Sequence, residues 1–127
     1  MAAEDAQEQP LTAEVARALV GLHKEQFGRG PTRARAHFFG ADMLVCAFEE
    51  VLVPAELKLV ERGQDEAVQT ARVLFQIATK DEFIATIEGL VARKVRAFTS
   101  AMDPTANMLF EIFVFESEPD AGATPAP

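Results

Sequence analysis

The chain has 127 residues, 49% of them hydrophobic, in keeping with one soluble globular domain and one core. It carries 12 Lys and Arg against 20 Asp and Glu, a formal charge of -8, and this acidic balance without Trp or Tyr argues against general nucleic-acid binding. A single Cys and two His exclude an internal disulfide and a zinc-ligand spacing, and no apolar run reaches the roughly 18 to 20 residues of a membrane span.

The opening MAAEDAQEQP is acidic where a signal peptide is basic and then apolar, so a cytoplasmic location is expected. Residues 1–11, and 117–127 with their Pro, Ala and Gly content, read as disordered tails that hold much of the acidic excess. Between them, 12–116 reads as one domain. Thr12 suits the N-cap of a helix with Val15, Leu19, Leu22 and Gln26 on one track, polar only at the last, stopped by Gly28, Gly30 and Pro31. RARAHFF and DMLVCAFEE, separated by Gly40 and Ala41, predict an antiparallel hairpin over about Thr32 to Val51. Pro54 suits the first turn of a short helix, AELKLVER, that Gly63 ends. A long helical pattern follows from about Asp65 to Lys94, with Val68, Ala71, Phe75 and Ala78 and then Phe83, Ile87, Leu90 and Val91, and a break or kink is expected at the polar patch 79–82. VRAFTSA and NMLFEIFVF, joined by 102–106, predict a second hairpin.

The order amounts to two helix-hairpin units linked by a short helix. The expected fold is α+β, with one four-stranded, mainly antiparallel sheet and helices packed on one face, its strand order left open. In the last strand Phe110, Ile112 and Val114 point one way and Leu109, Phe113 and Phe115 the other, so both faces are apolar except at Glu111. An antiparallel sheet face open to water alternates polar residues, so a cover for the second face is required and a homodimer is the expectation.

The stretches GLHKEQFGRGP, VLVPAE, VQTARVLFQIA, RKVRAFTS and FEIFVFE, in this order, resemble the bacterial Na+-translocating membrane potential-generating system MpsC-like family, formerly a domain of unknown function. The resemblance covers about Thr12 to Glu116. Val53 stands where the family pattern has a capping Thr, and Ala92 where a glycine is usual. The resemblance implies a small accessory protein of a membrane system for cation-linked energisation and bicarbonate supply, peripheral at the inner membrane face through a transporter partner. It implies neither a catalytic residue nor a cofactor.

Seven of the basic residues fall in two clusters at the helix-to-strand junctions: Lys24, Arg29, Arg33 and Arg35, then Arg93, Lys94 and Arg96. One reading is a shared anion or partner site made by Arg29, Arg33, Arg35, Arg93, Lys94 and Arg96, with Gly28, Gly30 and Pro31 letting backbone come close. The other is that cations at a helix C-terminus offset its negative dipole end, by about 0.3 to 1 kcal/mol each. Glu111 interrupts an apolar strand and calls for an ion-pair partner, with Arg33, Arg35 or Arg96 as candidates. His23 and His37 are isolated, Cys46 lies in an apolar strand, Glu56 suits the first turn of its helix, and Arg72 sits on the long helix with no assigned role. GRGPT follows a helix and precedes a strand, the reverse of a phosphate loop. The residues therefore point to no catalytic set and no metal site, and the protein is expected to be non-enzymatic, with an anion-binding or enzymatic module using the basic clusters as the rival.

Overall fold

The computed structural model describes residues 2–117, with side chains from Pro10 onward. Its elements are α1 (Ala2–Phe27), β1 (Arg33–Phe39), β2 (Met43–Glu49), α2 (Pro54–Glu61), α3 (Asp65–Val91), β3 (Val95–Asp103) and β4 (Met108–Phe115). The first helix begins at Ala2, so the segment read as an N-terminal tail supplies its first turns and Thr12 is not its N-terminus. Ala, Glu and Gln dominate that segment and are strong helix formers. The C-terminal tail lies outside the described residues from 118 onward. α3 is continuous through Thr79–Glu82, where a break was expected. The Thr79 hydroxyl donates to the Phe75 carbonyl one turn back, satisfying itself within the helix.

The four strands form one fully antiparallel sheet in the order β1-β2-β4-β3. Each hairpin contributes an inner strand, and the inner strands pair with Cys46 opposite Glu111 and Ala47 opposite Phe110. Asn107, in the left-handed conformation that Asn tolerates, ties the hairpins together: its carbonyl accepts the Glu50 amide and its Oδ1 accepts the Leu52 amide. α1 packs on β1 and α3 on β3, both on one face. The core lies between them, from Val15 and Leu19 of α1 and Val68, Phe83 and Ile87 of α3 to Leu44, Cys46, Phe48, Phe98, Leu109, Phe113 and Phe115 of the sheet. Phe113 and Phe115 are thus buried within one chain. Phe110, Ile112 and Val114 face the side without helices and are half-buried.

Arg72 joins the helical layer. Only 7% exposed, it donates from Nε to Glu56 Oε2 at 2.8 Å, from Nη2 to Glu56 Oε1 at 2.6 Å, and from Nη2 to the Val51 carbonyl at 3.0 Å. Its Cζ lies 3.7 Å from the centre of the Phe27 ring. Glu56 Oε1 also accepts the Val53 amide, one half of a capping box whose other half Val53 cannot supply, having no side-chain acceptor. One fork thereby fixes α3, α2, the β2–α2 connection and the end of α1.

Three measurements follow from this packing. Arg72→Ala leaves the half-buried Glu56 and the Val51 carbonyl without their donor and is expected to lower the unfolding free energy by about 2 kcal/mol in urea titration, with Arg72→Lys failing to restore it because a point charge cannot bridge both oxygens and Val51. Ala92 ends α3 at φ 61, a left-handed residue with a Cβ, so Ala92→Gly is expected to stabilise by about 1 kcal/mol. Burial, and then the charge of Glu111 across the strand pair, push the Cys46 thiol well up. Its folded value lies above its unfolded one, so stability is level below the unfolded value of about 8.5 and declines above it, and a thiol reagent at pH 8 should label the protein only after denaturation.

Candidate functional site

The two basic clusters do not meet. β1 and β3 are the opposite edges of the sheet, and Arg33 pairs through Glu49 and Met108 with Asp103, at the far end of β3 from Arg93. With strands about 4.8 Å apart and a rise of about 3.3 Å per residue, the clusters are roughly 25 Å apart on a diagonal. The two-unit plan is the cause: units whose inner strands pair antiparallel are related by a rotation about the sheet normal, which sends equivalent junctions to opposite corners.

Each cluster has local work. Gly28, at φ 81, ends α1 with its amide donating to the Lys24 carbonyl. Gly30 lets the connection pass against α1, since a Cβ there would lie 3.0 Å from Val20 Cγ1, and Pro31 leads to β1. Arg33 approaches Glu49 at 3.6 Å on the exposed face. Arg35 projects from the same face, while Arg29 is half-buried beside the glycines. Arg93 donates to the Ala41 and Glu116 carbonyls and lies over the Phe115 ring, clamping the β1–β2 turn to the end of β4. Lys94 and Arg96 are exposed, Arg96 in the irregularity of β3 between Val95 and Ala97.

Glu111 pairs with none of the expected arginines. It points to the helix-covered face, whereas Arg33 and Arg35 point to the other, and its neighbour is His23 of α1, with Nε2 3.3 Å from Glu111 Oε2. Both residues are buried, at 5% and 3% exposure. The contact is a close approach without hydrogen-bond geometry: His23 Nδ1 and Nε2, Glu111 Oε1 and Gln26 Nε2 have no hydrogen-bond partner among the described residues. Glu111 is flanked in its row by Cys46 and Ser100. The Cys46 thiol is held neutral, and the Ser100 hydroxyl is engaged with Gln76 Oε1.

These groups line a partly open cavity of about 260 Å³ bounded by α1, α3 and the β3–β4 pair. Phe27, Phe75, Phe83 and Phe98 contribute ring surface, and Arg72 stands in one wall with its fork already turned to Glu56. The His23 ring centre is 5.0 Å from that of Phe48 and 5.3 Å from that of Phe83, so the imidazole is wedged among aromatics. His37, by contrast, is exposed on the far sheet face. Among the described residues no group of three or more His, Cys, Asp or Glu is placed to hold a metal ion. The arrangement can present a carboxylate and an imidazole to a small molecule in a largely apolar enclosure. Sequence reasoning found Glu111 as an anomaly but not its partner, and it missed the cavity; the signals for it were Gln26, the polar end of the α1 track, and His23 beside that track.

The helices among the described residues contain none long and apolar enough to cross a membrane. No curated protein and no solved structure matches the chain. The family model described as Na+-translocating membrane potential-generating system (MpsC) matches residues 7–117, which spans both helix-hairpin units and all four strands. The chain therefore belongs to the MpsC family.

Proposed function

We propose that this protein is a non-enzymatic accessory protein of a cation-linked membrane energisation system, acting as a homodimer closed through the uncovered sheet face. The observation that carries the reading is the composition of that face. Its two inner strands present Met43, Val45 and Ala47 beside Val114, Ile112 and Phe110 in direct register, and Phe39 at the edge is 59% exposed. No helix among the described residues covers this surface, and an apolar antiparallel face of this kind calls for a partner.

Charge placement favours a second copy as that partner. The row at one end of the face reads Arg33, Glu49, Met108, Asp103 across the four strands. A two-fold axis parallel to the strands lays β1 of one copy over β3 of the other and brings Arg33 of each opposite Asp103 of its mate, an isologous contact of matched sign. Such a dimer leaves the helical layer outward. There Val73, Leu74, Phe75 and Ile77 of α3 form an exposed apolar surface, Ile77 at 66%, suited to a membrane-system partner. The rival anion site at the basic clusters has less support, since the clusters diverge and Arg93 is engaged by backbone carbonyls.

Light scattering at micromolar concentration should return twice the 13.8 kDa chain mass. Ile112→Lys places an unpaired charge in the interface and should weaken dimerisation at least about tenfold with the circular dichroism unchanged. Arg33→Asp should weaken it less, and Asp103→Arg added to it should restore it. A wild-type mass of one chain overturns the dimer, and a dimer indifferent to Ile112→Lys removes it from this face. Affinity co-purification from native membranes that yields no specific membrane partner counts against the accessory role.

A further inference from the structure

We propose that the cavity between α1, α3 and the β3–β4 pair binds a small organic cation, an amine or amidine on an apolar body, with Glu111 as its counter-charge. Glu111 is 3% exposed and lines the cavity, and its Oε1 accepts no hydrogen bond among the described residues. A buried carboxylate is tolerated where charge-assisted donors satisfy it. Among the described residues no Arg or Lys supplies them, and His23, 3.3 Å from Oε2, leaves Oε1 unanswered. Arg72, the basic residue in the cavity wall, gives Nε and Nη2 to Glu56 and Val51, and Arg33 and Arg35 lie on the opposite sheet face. Ser100, the nearest hydroxyl in the row, is engaged with Gln76.

The walls select the same class. Ring faces of Phe75, Phe83 and Phe98 attract a cation through their quadrupole, the Phe27 face being engaged by Arg72, while Glu111 repels an anion. The volume of about 260 Å³ admits a body the size of one substituted ring. His23 and the Gln26 amide, both on the cavity and both with unpartnered nitrogens, are placed to orient a polar substituent on the ligand. The assignment does not rest on the dimer, since none of these residues belongs to the uncovered sheet face; Phe75 alone is shared with the exposed surface of α3.

The test uses the full chain with three probes of equal size and different charge: benzylamine, benzyl alcohol and benzoate. Saturation-transfer NMR at millimolar probe concentration, with thermal unfolding in parallel, should show benzylamine binding and raising the midpoint and benzoate doing neither. Glu111→Gln should weaken benzylamine at least tenfold. Ser100→Leu, which keeps the carboxylate and fills the space beside it, should do the same, so the assignment is tested even if Glu111→Gln does not fold. Equal binding of benzyl alcohol or benzoate, binding by no probe, or benzylamine affinity unchanged in whichever of these variants folds overturns the proposal.

Discussion

The helical layer depends on a guanidinium gripped from three parts of the chain. Arg72 satisfies a carboxylate, a backbone carbonyl and an aromatic face together, and each belongs to a different part of the chain. A buried arginine so placed is costly to leave unpaired, so the contacts that tie α2, the β2–α2 connection and the C-terminal turn of α1 to α3 support one another. The planar fork matters as much as the charge, because only two donors at fixed spacing reach both Glu56 oxygens and leave a bond for Val51. The same residue forms a wall of the cavity, so the interaction that assembles the layer also bounds the space next to His23 and Glu111.

The sheet transmits the two-unit plan into surface properties. Pairing the inner strands antiparallel gives an approximate two-fold relation, and everything at a helix-to-strand junction is placed twice, at opposite corners. That relation separates the basic clusters. It also keeps both helices on one face, because each unit folds its helix over its own hairpin in the same sense. Among the described residues the second face consequently carries no helix while its inner strands remain apolar, and the other side holds the helices and the cavity.

Inside the core, polarity is concentrated at one row. Ala36, Cys46, Glu111 and Ser100 lie opposite one another across the four strands, and His23 descends on the row from α1. The pressure that this row exerts is visible in Cys46, whose thiol is forced to stay protonated by burial and by the neighbouring carboxylate. A carboxylate in such a place destabilises its surroundings unless it is answered, and the cavity beside it is where an answer from outside the chain can enter.

The amino-acid sequence by itself determined the elements and their order, because these rest on short-range rules: glycines at the left-handed stops Gly28 and Gly63, proline at the first turn of α2, alternation in RARAHFF and MLFEIFVF, and the two short turns. It determined the α+β class and the apolarity of both faces of β4 for the same reason. Its errors were also local in kind. The patch 79–82 looked like a break because composition alone does not show Thr79 bonding to Phe75, and the segment before Thr12 looked like a tail because helix propensity was outweighed there by its polarity. Tertiary structure alone decided the strand order, and with it the face on which each residue lies and the distance between residues far apart in the chain. Glu111 was legible as a carboxylate in need of a partner, yet whether that partner was Arg33 or His23 turns on which side of the sheet each occupies, a long-range fact that no spacing along the chain encodes. The cavity is of the same kind, since it exists only where α1 and α3, separated in the chain by the first hairpin and α2, are laid over β3 and β4.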